Sequence, residues 1–295
     1  MKELDECKLC PFECKVNRNE NYLGRCKAEK NIKIGLYSLH YDEEPCISGK
    51  EGSGTVFFSN CNLKCKFCQN YKISCEGKGE EITVQKLAKI FLKQQADGAN
   101  NINLVTAVPY VPHIIEALKI AKQKGLTIPI LYNTSGYEKE ETLKILEGYI
   151  DIYLPDFKYY DNDLAMRLSG TKNYREITQK AIKEMYRQVG KNQYDGNGML
   201  KKGMIIRHLV LPNNIQNSKD VLKWIKENMP EGTYVSVMAQ YFPTYKAKED
   251  RLLNRKLSKK EYKEIENYLY TLELENGYIQ ELGEHEEEYV PTWEY

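Results

Sequence analysis

The stretch "FFSNCNLKCKFCQN" (57–70) places Cys61, Cys65 and Cys68 in a C-x3-C-x2-C spacing directly after an apolar run. A closed structural metal site takes four ligands. Three thiolates instead hold three corners of a [4Fe–4S] cube and leave the fourth iron open to a reactant, by the logic that separates catalytic from structural metal sites. The bland alternative is a zinc or ordinary iron–sulfur site completed by Cys46 or Cys75. A second group, Cys7, Cys10, Cys14 and Cys26, is spaced C-x2-C-x3-C-x11-C. Four thiolates make a closed set that suits Zn2+ or an iron–sulfur cluster. The segment is too short for its own hydrophobic core, so a bound metal would contribute to its folding.

These thiols need a scaffold, and the middle of the chain alternates strand and helix signals. Strands are expected over 55–60, 101–106, 127–133, 149–155, 203–212 and 233–241. Helices are expected over 83–98, 112–125, 138–148, 164–189, 218–228 and 258–274. Leu87, Ile90 and Phe91 share one helical face, Thr83 can cap that helix and Gly98 stops it. Near-continuous apolar strands joined by helices argue an α/β fold with a parallel sheet covered on both faces. Six such units make an open sheet or an incomplete barrel. The functional site of such folds lies at the carboxyl ends of the strands, where Cys61, Cys65 and Cys68 fall. Residues 1–50 form a cysteine-rich extension, 51–245 the strand–helix body, and 246–295 a tail with one helix and an acidic, aromatic end.

Lys and Arg number 43 against 42 Asp and Glu, a net charge of +1. That balance predicts no strong attraction to nucleic acid or to an anionic membrane surface. No apolar run approaches the ~20 residues of a membrane span, and "MKELDECKLC" lacks the apolar centre of a signal peptide. Nine cysteines in a chain too long to need disulfide staples point to metal or redox chemistry in a reducing compartment, hence a cytoplasmic location.

The C-x3-C-x-aromatic-C pattern, with Phe67 at the aromatic position, resembles the signature of radical S-adenosylmethionine (SAM) enzymes. The pieces "CPFECKVNR" (10–18), "EEPCISGKEGSGTVFFSNCNLKCKFCQN" (43–70), "YNTSGYE" (132–138), "DIYLPDFKYY" (151–160) and "IIRHLVLP" (205–212) narrow the likeness. They resemble glycyl-radical-enzyme activating proteins of the pyruvate formate-lyase activating kind, in longer homologues with a cysteine-rich N-terminal extension. The resemblance implies a partial (β/α)6 barrel of TIM type, one [4Fe–4S] cluster and SAM. It also implies a glycyl-radical enzyme as partner and flavodoxin or ferredoxin as electron donor. By the same likeness Phe67 flanks the cofactor's adenine, and Lys158 meets its methionine carboxylate. Thr134 and Asp156 are candidate ligands of a monovalent cation beside that carboxylate. Arg207 and His208 face the nucleoside side.

Two departures from the family pattern stand out. Asn133 replaces an Asp, which weakens or removes the cation site. "VTAVPY" (105–110) lacks the Gly-Gly-Glu that many members use for the methionine amino group, so backbone carbonyls near Thr106 are assigned that role. Three other functions stay open: radical modification of a peptide or small molecule, modification of a nucleic acid, which the neutral charge disfavours, and a non-enzymatic iron–sulfur or zinc protein. Asp156 and Lys158 also read as an ordinary surface pair. His40, His113 and His285 read as structural or solvated, Cys75 as a free thiol, and Cys46 as a buried thiol or a neighbour of the N-terminal cysteines.

Overall fold

A computed structural model of the chain describes residues 1–283. Its strands are β1 (Ile32–His40), β2 (Ser53–Phe58), β3 (Glu80–Ile82), β4 (Ile102–Val105), β5 (Ile130–Thr134), β6 (Ile152–Pro155), β7 (Gln193–Tyr194), β8 (Leu200–Leu209), β9 (Tyr234–Met238) and β10 (Gly277–Ile279). Its helices are α1 (Pro45–Ser48), α2 (Tyr71–Ser74), α3 (Val84–Ala96), α4 (Val111–Gln123), α5 (Glu140–Leu146), α6 (Asn162–Ser169), α7 (Tyr174–Val189), α8 (Ile215–Asn228) and α9 (Lys259–Thr271). The six expected strands are present and pair in parallel in the order β9-β8-β6-β5-β4-β2, with β10 added in parallel beyond β9. The strand order has two ends, β10 and β3, so the barrel is partial and stays open. All six residues of β2 are buried, as expected of a strand covered on both faces.

Local chemistry sets the helix bounds. Thr83 accepts from the Lys86 amide and caps α3, which turns Leu87, Ile90 and Phe91 into the core. Each such side chain stabilises the fold by roughly 1.5–3 kcal/mol on burial. Ser258 and Glu261 form a reciprocal capping box at α9. The helix expected over 164–189 is two helices. Gly170 ends α6 in the left-handed region (φ 64°), and α7 starts only after Asn173, also left-handed (φ 52°). A side-chain pattern of period 3.6 runs through this break, which is why the sequence reads as one helix.

The extension is not separate from the sheet. β1, which helical periodicity did not reveal, pairs antiparallel with β2 and β3. Its register shifts between Ile34 and Leu36, and that irregularity breaks the alternation that marks a strand. The 42–50 stretch carries α1 against the inner face of the barrel. Cys46 and Ile47 pack there with Leu131, Ile152, Leu154 and Ile205. Arg18, almost fully buried, fastens the first residues to the body. Its guanidinium donates to the carbonyls of Pro109 (2.6 Å) and Glu29 (2.6 Å). Among the described residues no helix is long and apolar enough to cross a membrane.

Candidate active site

After β2 the chain turns through left-handed Asn60 (φ 69°) into the cysteine loop. Backbone bonds clamp this loop on two sides. Cys61 N donates to Ser74 O (2.9 Å), and Lys66 N donates to Leu168 O (2.9 Å) at the end of α6. Cys61, Cys65, Cys68 and Phe67 thereby line one cavity at the carboxyl ends of the strands, with Thr106, Thr134, Asp156 and Lys158 on its other walls. The break between α6 and α7 has a local use: Ser169 donates its hydroxyl to Cys65 Sγ (3.0 Å) and is backed by Tyr159 (2.7 Å). Ser74 lies 3.1 Å from Cys68 Sγ. Burial pushes all three thiols up, that of Cys68 to about 12. Unliganded they are neutral, and it is metal binding that draws them into the thiolate form.

Facing the thiols is a closed cage of charge. Lys158 Nζ lies 2.5 Å from Asp156 Oδ2, and Arg207 Nε lies 3.0 Å from Asp156 Oδ1. Arg207 also donates to Glu43 Oε2 (3.0 Å) and to Asn133 Oδ1 (2.6 Å). Glu43 in turn accepts from Asn103 (2.9 Å) and Asn133 (3.2 Å). Burial alone would raise the Asp156 carboxyl, but Lys158 and Arg207 outweigh it and hold it below the usual range. Burial would lower the Lys158 amine, but the Asp156 carboxylate outweighs it and keeps it charged. This is a largely buried network, its side chains 10–16% exposed, not an exposed surface pair.

The cage alters the expected cation site. Both Asp156 oxygens are engaged by side-chain cations, and Asn133 turns its oxygen to Arg207. Thr134 donates to Glu138, whose buried carboxyl is pushed up to about 8. Two protein cations, Lys158 and Arg207, therefore supply positive charge where a monovalent ion was expected.

Other expected residues fall in and out of the site. Thr106 lines the cavity in the left-handed region (φ 62°), a costly conformation for a β-branched residue, with its amide donating to Asn133 O (3.1 Å). Phe67 is held edge-on by Tyr159 and Tyr241. His208 does not face the cavity. Neighbouring residues of a strand point to opposite faces, so Arg207 takes the inner face and His208 the helix-covered one. There its Nδ1 lies 2.7 Å from Phe157 O and its Nε2 2.8 Å from Ser218 Oγ. Cys46 and Cys75, which could have closed the triad, do not line the cavity, though the Ser74 hydroxyl lies between Cys68 Sγ (3.1 Å) and Cys75 Sγ (3.6 Å). Cys7, Cys10, Cys14 and Cys26 also lie outside it. His113 is structural, bound to Lys30 O, whereas His40 lines the cavity. His285 is outside the described residues. Sequence reasoning missed Glu43, Ser169 and Glu138. Glu43 lay in the matched stretch "EEPCISG", and nothing in its spacing showed that it would reach across the barrel.

The model of the Radical SAM superfamily matches residues 55–225, more than half of the chain. The chain belongs to the radical SAM superfamily. An uncharacterised protein of Methanocaldococcus jannaschii is 35% identical over 283 residues, covering 92% of this radical SAM chain and 75% of the relative. The pyruvate formate-lyase-activating enzyme of Clostridium pasteurianum is 26% identical over 179 residues, 57% of this chain and 66% of that one. Among solved structures, the [FeFe]-hydrogenase maturase HydG superposes with a TM-score of 0.53 at 13% identity. Streptococcus suis SuiB bound to its precursor peptide SuiA gives 0.51 at 16%. These two cover 79% and 77% of this chain, which spans about half of theirs (53% and 47%), and they show a shared fold. The superfamily implies a [4Fe–4S] cluster and SAM. The residues present fit both: two buried thiols and one half-buried thiol open onto one cavity, one of them already accepting a hydroxyl hydrogen bond, and a charged lysine stands across from them.

Proposed function

We propose that this radical SAM chain activates a glycyl-radical enzyme by abstracting a hydrogen atom from it. The observation that carries the chemistry is the single cavity shared by Cys61, Cys65, Cys68 and Lys158. When bound to the three thiols, a [4Fe–4S] cluster supplies the electron that cleaves SAM to methionine and a 5′-deoxyadenosyl radical. The chain's residues do the positioning. Lys158, oriented by Asp156, offers a charged amine to the methionine carboxylate. Arg207 completes the positive field, so no monovalent cation is required. Thr106 lies in left-handed backbone at the end of β4 and lines the cavity, where a backbone carbonyl would receive the methionine ammonium. Phe67, which lines the cavity, would flank the adenine. Phe57, Leu63 and Met238 line the same cavity and keep water from a radical. The glycyl-radical partner is supported by the likeness to the pyruvate formate-lyase-activating enzyme, and a low-potential flavodoxin or ferredoxin would deliver the electron.

Anaerobic incubation with SAM and dithionite should release 5′-deoxyadenosine, and Cys61→Ala, Cys65→Ala or Cys68→Ala should abolish that release together with the cluster. Full release in any one variant removes that residue from the ligand set. Addition of pyruvate formate-lyase should then produce a glycyl-radical signal in electron paramagnetic resonance. Cleavage of SAM with no such signal would overturn the choice of this partner.

A further inference from the structure

The proposed chemistry leaves Cys7, Cys10, Cys14 and Cys26 unused, yet the fold gathers them. Cys7 N donates to Val16 O (3.0 Å) and Lys15 N donates to Cys7 O (2.9 Å), which closes a loop around Cys10 and sets Cys7 beside Cys14. Gly24 lies flat against Cys14: a Cβ there would come within 2.9 Å of its Sγ. This approach brings the strip carrying Cys26 against the loop. Glu13 N donates to Cys10 O (3.0 Å), which closes a tight turn that brings Cys10 and Cys14 together.

Backbone amides then point at sulfur. Arg25 N–H donates to Cys14 Sγ (3.2 Å) and Ala28 N–H to Cys26 Sγ (3.4 Å). Such bonds favour the thiolate, and they are the partners that tune thiolate-bound clusters. Among the described residues no three Cys, His, Asp or Glu side chains stand close enough to share one bare metal ion. The quartet has this in common with the Cys61, Cys65, Cys68 triad. A zinc ion with bonds of ~2.3 Å draws its four sulfurs to about 3.8 Å from one another, whereas a cube holds them farther apart, on separate irons.

The same loop touches the catalytic one. The Arg25 guanidinium donates to Ser169 O (3.2 Å) and Gly170 O (3.3 Å), at the break between α6 and α7. Ser169 is the residue whose hydroxyl donates to Cys65. One arginine thus joins a sulfur of the quartet, through its amide, to the hydrogen-bond donor of a sulfur of the triad, through its side chain.

We propose that Cys7, Cys10, Cys14 and Cys26 bind a second iron–sulfur cluster, and that Arg25 couples its loop to Cys65 through Ser169. The coupling, unlike the second site itself, rests on the assignment of Cys61, Cys65 and Cys68 to the catalytic cluster. The test is anaerobic reconstitution with iron and sulfide, zinc also being present, followed by metal analysis and Mössbauer spectroscopy. Wild type should hold about eight irons, and a Cys10→Ser, Cys14→Ser variant about four. A Cys61→Ala, Cys65→Ala, Cys68→Ala variant should also keep about four, which tests the second site independently of the catalytic reading and of the folding of the first variant. About four irons in wild type and none in the triad variant would overturn the site. Zinc in the triad variant in place of iron would overturn the cluster. Arg25→Ala and Ser169→Ala should both lower the reduction potential of the catalytic cluster, because hydrogen bonds to sulfur favour its reduced form. A potential unchanged by Arg25→Ala would overturn the coupling.

Discussion

The cavity at the strand ends and the loop of residues 7–28 both gather cysteines, but they are held by different means. Around the cavity, the positions of Asn133, Asp156 and Arg207 follow from the registers of three adjacent parallel strands, and Lys158, Asp156, Arg207 and Glu43 are paired with opposite charges. That arrangement is complete without any ligand. The loop has only one short 3-10 turn, Arg18–Glu20, and Glu13, Lys15, Asn21 and Lys27 all sit in left-handed backbone. Two of its sulfurs, those of Cys14 and Cys26, are partnered by backbone amides. A scaffold rich in strand pairing can present a site before its cofactor arrives; the loop has no strand pairing, is tied to the body by side chains such as Arg18 and Arg25, and under the proposed second cluster would take part of its order from what it binds.

The strongest way to break this comparison is to remove the iron. In iron-free protein, hydrogen-exchange protection should be lost across residues 7–28 and retained in β4, β5 and β6. Equal protection in the two regions would mean that packing, with Arg18 as its anchor, holds the loop unaided. The next effect is on the cage. Arg207→Ala leaves Glu43 and Asp156 buried with too little positive charge, and should destabilise the iron-free protein by about 3–5 kcal/mol in denaturant unfolding. Arg207→Lys should restore only part of this, since one ammonium cannot reach Asp156, Glu43 and Asn133 together. A loss below about 1 kcal/mol would show the cage to be solvated.

A smaller effect separates binding from folding. Lys158→Ala should keep the full iron content and weaken SAM binding by roughly 10- to 150-fold, the equivalent of about 1.5–3 kcal/mol for one charge-assisted hydrogen bond. An unchanged dissociation constant, measured by equilibrium dialysis, would remove Lys158 from the site. The smallest concerns pH. Glu138 is buried beside Thr134, its carboxyl raised from 4.5 to about 8 chiefly by burial. The stability it contributes is fully present below the unfolded value of 4.5 and is lost as pH rises through about 8. Glu138→Gln should flatten that alkaline decline in thermal unfolding and leave the acid side unchanged. A decline of the same depth in the variant would assign it to another group.

How much of this was legible beforehand differs residue by residue. The triad was legible because its three cysteines lie in one short loop, so their relation is a spacing. The parallel strands were legible because a strand covered on both faces is apolar throughout. The cage was legible only in part. Asp156 and Lys158 are two residues apart and share a strand end, but Arg207 lies 51 positions from Asp156 and Glu43 164 from Arg207. No local pattern records that such residues meet. His208 was misplaced for a related reason: its neighbour Arg207 faces the cavity, and the two-residue period of a strand turns His208 the other way.

What the sequence determined by itself, then, is whatever depends on neighbours along the chain: the C-x3-C-x2-C loop, the caps at Thr83 and Ser258, and the run of parallel strands that puts the loop at their carboxyl ends. Tertiary structure alone decided the rest. It split the expected helix at Gly170 and thereby brought Ser169 to Cys65, and it carried Glu43 across the barrel to Arg207. The physical reason is that a buried charge or thiol must find its partner in space. Which partner stands near is set by strand order and register, quantities that no stretch of sequence contains.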